Sequence, residues 1–303
     1  MKKLRFVVSL ITQDNDYQRQ QAAAAQEAAA RLGVEVQILF ANSNAVDQSQ
    51  QLLDTIRDRE GADGILVESA GRTSFPKIAE AVVASGKAWV VLNSDPDYLK
   101  ELRSGNTVPV FAVSVDNHEV GRIQGRQLGA LLPKGGSVLY VQGPSLSTVT
   151  EHRTAGMLET KPANVNVRIL KGANWTEEAG FHVVASWLRL STARDEAIKV
   201  VQAQNDALAV GARRAIEDQP TEPGQDRKSR LPFLGVDGLP QTGQAWVRQG
   251  TLAATIVVPA ITAQALDALV AAIRGRTRPP EHTLVAPESF PDPHELLHWI
   301  PHN

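Results

Sequence analysis

One stretch of this chain matches a catalytic spacing. His294-Glu295-Leu296-Leu297-His298 reads H-E-x-x-H, which on an α-helix sets two imidazoles on one face to hold zinc, with the glutamate as general base. A working zinc site also needs a third ligand and a rigid mount. Five residues follow His298, His302 lies only four residues on, and Pro293 and Pro301 bracket the segment. The expectation is therefore a surface turn with a buried Leu-Trp face and no metal. Gly143-Pro144-Ser145-Leu146-Ser147 lacks the second glycine of a G-x-S-x-G nucleophile elbow. No G-x-G-x-x-G or G-x-x-x-x-G-K-[ST] run occurs, so neither a dinucleotide nor a P-loop nucleotide finds its phosphate cradle. With no cysteine in the chain, thiol nucleophiles, zinc–thiolate centres and disulfides are excluded. Carboxylates are plentiful, but spacing alone sets no two of them across a cleft as a glycosidase requires. The chain is read as a non-enzyme with no cofactor.

The elements that would position any site follow a regular rhythm. Phe6–Ile11, Val34–Phe40, Gly64–Val67, Ala88–Leu92 and Val110–Val115 are short apolar runs separated by helical patterns around Tyr17–Leu32, Asp47–Arg59 and Phe75–Ala84. Such runs are continuous rather than alternating, so they predict parallel strands covered on both faces. Gly33, Gly61 and Gly86 fall where helices should stop. The rhythm restarts after residue 115. Helices around Glu119–Leu132, from about Thr150, around Thr176–Leu190 and near Ala207–Ile216 alternate with Ser137–Gln142, Val165–Leu170, Ile198–Ala203 and Leu231–Val236. Residues 218–230 are polar and rich in Pro, Gly and charge, which predicts an exposed loop. A last helix around Ile261–Arg274 precedes a Pro-rich turn and a tail. Repeated βαβ units of this kind imply a doubly wound α/β architecture.

Size and charge agree. At 303 residues the chain calls for two domains. Its 43% hydrophobic and 21% charged residues are ordinary for a globular protein. The net charge of -2, with 31 basic and 33 acidic residues interspersed, leaves no footprint for nucleic acid or an anionic membrane. Lys2, Lys3 and Arg5 ahead of Phe6–Ile11 look like the start of a signal peptide. The apolar run is too short, however, and Gln13-Asp14-Asn15-Asp16 follows instead of a small-residue cleavage site. It is read as the first strand.

Several short motifs occur together in order: Val115-Asp116-Asn117 with Gly121 and Gly125 after it, Ala203-Gln204-Asn205-Asp206 with Gly211-Ala212, Gly235-Val236-Asp237-Gly238, and Gly250-Thr251-Leu252-Ala253-Ala254-Thr255-Ile256. In this order the chain resembles the periplasmic sugar-binding proteins of the ribose-binding type, whose fold is shared with the effector domains of LacI-type repressors. The resemblance runs from Phe6 to about Arg274. It implies two Rossmann-like lobes with parallel sheets, joined by three crossover segments, with a ligand cleft between them and a hinge that closes over it. One lobe would comprise 1–115 and about 259–283, the other 116–258 and about 284–303.

Ligands of open α/β sheets sit beyond the carboxyl ends of strands, and there the resemblance assigns its ligand-binding residues. Asn15 and Tyr17 follow the first strand, Glu68 ends the third and Asn93 follows the fourth; in the second lobe Arg153, Trp175, Asn205 and Asp237 take the corresponding places. The set suits a sugar. Carboxylate, amide and guanidinium can all bond hydroxyls, while Tyr17 and Trp175 can cover the apolar face of a ring. Each also has a plainer reading: Trp175 as core, Asn15 and Asn205 as helix caps or turn formers, Arg153 as a surface charge. Gln18 stands where a second aromatic is common, Val236 where another occurs, Val258 where a polar contact is usual, and Glu68 where an amide is frequent. The particular sugar therefore does not transfer.

The function implied is capture of a sugar or related polyol and its delivery to the membrane permease of an ABC transporter, by a protein expected to be monomeric. The alternative is a cytoplasmic or kinase-coupled ligand sensor of the same fold. A DNA-binding repressor is not expected, since it would carry a helix-turn-helix before the first strand, and here that strand is read to begin near residue 5. Location follows the same fork: periplasmic if an export signal has been removed ahead of residue 1, cytoplasmic otherwise.

Overall fold

The continuous apolar runs form parallel strands, and the chain divides between two units. A computed structural model describes residues 3–58, 61–71, 75–172, 174–190, 197–219, 231–275 and 277–299; most of the loop expected over 218–230 lies outside them. The first unit comprises residues 1–115 and 259–285, the second 116–258 and 286–303, so the chain passes between units after Val115, Val258 and Val285.

The first unit carries β1 (Arg5–Leu10), α1 (Asp16–Leu32), β2 (Glu35–Phe40), α2 (Ala45–Arg57), β3 (Gly64–Glu68), α3 (Pro76–Ala84), β4 (Ala88–Leu92), α4 (Tyr98–Ser104) and β5 (Val110–Val115). A returning helix (Ile261–Gly275) and a further strand (His282–Val285) complete it. Its six strands are all parallel, with that last strand at one edge beside β5, then β4, β3, β1 and β2. Every residue of β3, β4 and β5 is buried, as helices on both faces require. On one side Trp89, Ile65, Val82 and Leu52 pack together. The returning helix docks on α1 through Thr262, whose N–H and hydroxyl both reach Gln21.

The second unit carries α5 (Asn117–Leu131), β6 (Gly136–Pro144), α6 (Thr148–Thr160), β7 (Val165–Gly172), α7 (Glu177–Leu188), β8 (Ile198–Ala203), α8 (Asp206–Glu217), β9 (Phe233–Leu234), α9 (Gly243–Arg248) and β10 (Thr255–Val257). Numbering the returning helix α10 and the strand His282–Val285 β11, the chain ends with β12 (Glu288–Phe290) and a 3-10 turn (Glu295–His298). The parallel sheet has the order β7-β6-β8-β9. Two glycines of the motifs are explained by helix packing. A Cβ on Gly121 of α5 would stand 2.2 Å from the Arg153 carbonyl on α6, and one on Gly211 of α8 would stand 2.0 Å from that of Glu177 on α7. No side chain fits at either crossing.

The tail departs from the sequence reading. Where the sequence reading has only a Pro-rich turn and a tail, the chain supplies β11, parallel to β5, and β12, antiparallel to β10. These strands are three or four residues long and lack an apolar period. Their signal comes from the sheet edge they join.

Candidate functional site

The strand orders decide where a ligand can meet each unit. In the first, β1 lies between β2 and β3; in the second, β6 lies between β7 and β8. At these places successive connections leave for opposite faces, opening a crevice at the strands' carboxyl ends.

In the first unit that crevice holds a joined set of polar side chains. Glu68, the last residue of β3, is 6% exposed. One carboxylate oxygen accepts from Asn93 Nδ2 at 2.9 Å and the other from Gln18 Nε2 at 2.9 Å. Asn93 also donates to the Tyr17 hydroxyl at 2.9 Å and accepts the Val115 N–H at 3.3 Å. Gln18 in turn accepts the Ile11 N–H at 3.0 Å. The ends of β1, β3, β4 and β5 are thereby tied through side chains. Asn93 has φ 54, a left-handed conformation uncommon outside glycine, for which asparagine is among the better-suited residues. Asn15 caps α1, its Oδ1 accepting the Gln18 N–H. Three of the four expected residues are therefore in one network, and Asn15 serves at least as a cap. Gln18, read as a gap in the aromatic set, is instead the residue that orients Glu68.

In the second unit Arg153 projects from α6 and is 6% exposed. Its Nε donates to Asn117 Oδ1 at 3.0 Å and a terminal nitrogen donates to the Gln204 carbonyl, which fixes the guanidinium plane. The guanidinium carbon lies 5.8 Å from the centroid of the Trp175 ring, within cation–π range. That ring packs on Gly143, where a Cβ would come within 2.1 Å of it. Asn205 caps α8 and donates to the Trp175 carbonyl at 3.2 Å. Asp237 follows β9 with φ 116, and its N–H donates to the Ile256 carbonyl at 3.0 Å.

A periplasmic binding protein domain profile matches residues 6–277. The chain belongs to that family. Among its relatives, the D-ribose/D-allose-binding protein of Pseudomonas aeruginosa is 25% identical over 64% of this chain, a match that spans 57% of that protein's length. The ribose import binding protein of Salmonella typhimurium is 27% identical over 77% of this chain and 71% of its own. The fold is that of a solved ABC transporter periplasmic solute binding protein from Actinobacillus succinogenes with bound D-allose (TM-score 0.82, 22% identity, covering 98% of this chain and 100% of that one). It is also that of the Caulobacter myo-inositol binding protein (TM-score 0.79, 21% identity, 94% and 92% covered).

Within this periplasmic binding protein domain, two positioning groups went unassigned in the sequence. Gln204 is fully buried. Its Nε2 lies 3.0 Å from the Tyr140 hydroxyl, from Thr154 Oγ1 and from the Thr150 carbonyl, and its Oε1 accepts the Gly143 N–H at 2.9 Å. It thus holds the loop under Trp175 while its own carbonyl holds Arg153. Asn117 is the second. Both stand inside the quoted motifs, so a polar residue at the end of an apolar strand was the available signal. Val236 is fully buried and Val258 contributes its N–H to the Asp237 carbonyl at 3.1 Å.

The H-E-x-x-H segment, beyond the residues that the profile matches, forms a single 3-10 turn over Glu295–His298. At about three residues per turn, positions i and i+4 point in different directions, so His294 and His298 do not share a face. Leu296 is buried there with Trp299 packed alongside. Among the described residues no group of three His, Asp or Glu side chains is placed to hold a metal.

Proposed function

We propose that this periplasmic binding protein domain captures a sugar or closely related polyol, leaves it chemically unchanged, and passes it to the permease of an ABC transporter on the periplasmic side of the membrane. The observation that carries the reading is that each unit holds its own cluster of side chains suited to hydroxyl groups. Each unit, at its own topological switch point, presents an aromatic group beside amide and charged groups already tied to neighbours. In the first unit these are Tyr17, Glu68 and Asn93, with Asn15 beside them; in the second they are Arg153, Trp175 and Asn205, with Asp237 beyond the edge strand β9. Hydroxyl-rich ligands both donate and accept, so they can use carboxylate, amide and guanidinium at once, and an aromatic face suits the C–H side of a ring. D-Ribose, D-allose and myo-inositol, which appear in the names of relatives and neighbours, are the first ligands to test.

The experiment is a thermal-shift screen with these three compounds, galactofuranose, and an amino acid and a nucleoside as controls, followed by calorimetry on any hit. A ligand with Kd near 1 μM at about a hundredfold excess stabilises by about 2.7 kcal/mol. A shift with at least one sugar or polyol and none with the controls is expected. Binding of a control alone would reject the sugar reading.

A further inference from the structure

We propose that Asp206 is a positioning residue for Asp237: a buried carboxylate that locks the strained corner from which Asp237 meets the ligand. The inference rests on the assignment of Asp237 to the sugar site made above. Asp206 opens α8 and is 3% exposed. Its own N–H donates to the Val236 carbonyl at 2.6 Å, and its Oδ2 accepts the Gly238 N–H at 2.9 Å. One residue therefore grips the chain immediately before and immediately after Asp237. Its Oδ1 accepts the Thr255 hydroxyl at 2.6 Å, which ties the same corner to β10.

The corner needs such a grip. Asp237 has φ 116, and a non-glycine residue held at a sparsely populated backbone angle persists only where its surroundings over-determine it. The Asp237 N–H and carbonyl are both bonded to the segment Ile256–Val258, so the grip of Asp206 on Val236, Gly238 and Thr255 fixes both strands of that contact. The space around the carboxylate is also shaped for it. A Cβ on Gly235 would stand 2.0 Å from Asp206 Oδ1, and one on Gly243 would stand 2.1 Å from Oδ2. The two oxygens serve two different donors, an amide N–H and a hydroxyl. An asparagine side chain of the same shape keeps one acceptor oxygen for the Gly238 N–H, but it loses the charge and turns an NH₂ group to the Thr255 hydroxyl, which must reverse from donor to acceptor.

The test is a double-mutant cycle read by calorimetry with D-ribose, D-allose and myo-inositol, alongside ligand-free melting. The proteins are the parent, Asp206→Asn, Thr255→Val, Asp237→Ala and the two doubles that combine Asp237→Ala with each of the others. Asp206→Asn is expected to weaken binding about tenfold, and Thr255→Val, which keeps shape and removes one donor, about threefold. In the Asp237→Ala background either change should cost less than about twofold, because the group being positioned is gone. A residue acting on stability alone would lose affinity equally in both backgrounds. Additive losses would overturn the proposal, as would unchanged affinity in both single variants. If Asp206→Asn does not fold, Thr255→Val carries the cycle by itself. Unchanged binding in Asp237→Ala, or no binding of any probe by the parent, would sink the sugar-site reading and this inference with it. A weakened Asp237→Ala with additive partners would sink only the positioning role.

Discussion

Asn93 Nδ2 lies 2.9 Å from Glu68 Oε1, joining the carboxyl ends of adjacent parallel strands β4 and β3 by a side-chain bond. The backbone ladder stops at these ends, so this bond continues the pairing in the place where a ligand would approach. Because the same amide reaches Tyr17, the carboxylate sets the direction of an aromatic on α1, the helix that follows the neighbouring strand β1.

Glu68→Gln tests that arrangement. The substituted amide can accept from Asn93 or from Gln18, but it turns an NH₂ group toward the other. Sugar affinity should fall about tenfold, in line with losing a hydrogen bond to a charged group. Calorimetry with the best ligand of the screen checks it. An affinity within about twofold of the parent would mean that the carboxylate does not orient the site.

Arg153→Ala should weaken binding by one to two orders of magnitude at about 1.4 kcal/mol per factor of ten. It should also lower the ligand-free melting temperature, since Asn117 Oδ1 and the Gln204 carbonyl lose a donor in a buried place. Arg153→Lys should recover little of either, because an ammonium cannot supply the planar fork that meets both acceptors. Full rescue by lysine would show that only the charge matters.

Gly143→Ala introduces a methyl group 2.1 Å from the present Trp175 ring position. The ring must move, so its contact with Arg153 is lost along with any stacking on a sugar. Affinity should drop by about the same factor as in Trp175→Ala, roughly tenfold for one aromatic contact. Ligand titration of both variants compares the two losses. Parent-like binding in Gly143→Ala would remove Trp175 from the site.

Alkaline pH should destabilise the first unit through Tyr98. Burial pushes its hydroxyl up to about 12, against which the bond from Trp89 Nε1 pulls only partly. The folded state holds this proton more tightly than the unfolded chain, whose tyrosines lose theirs near pH 10. The stability it contributes is complete below about pH 10 and is lost as the pH rises through about 12. Tyr140 in the second unit shifts in the same direction, also through burial. Thermal melts between about pH 9 and 12 should fall steeply for the parent and less so for Tyr98→Phe. Equal slopes would contradict the assignment.

Much of this molecule is determined by local sequence. Runs such as Ile65-Leu66-Val67 and Trp89-Val90-Val91 are apolar throughout, and only strands covered on both faces bury every residue. The places of Glu68 and Asn93 at strand ends follow from that pattern, whereas the run Leu231–Val236 puts Asp237 at the end of a strand that in the structure is only Phe233–Leu234. What those side chains hold was decided by tertiary structure. Gln18 and Glu68 are 50 residues apart and Gln204 and Gly143 are 61 apart, and no spacing rule brings such pairs together. The roles of Asn15 and Asn205 as caps depend on where a helix begins, and that of β11 on a sheet edge presented by β5. Periodicity reports which face of an element is buried, because burial is a property of each segment. A hydrogen-bond network belongs to the loops that meet at strand ends, and their meeting is fixed only when the sheet has assembled.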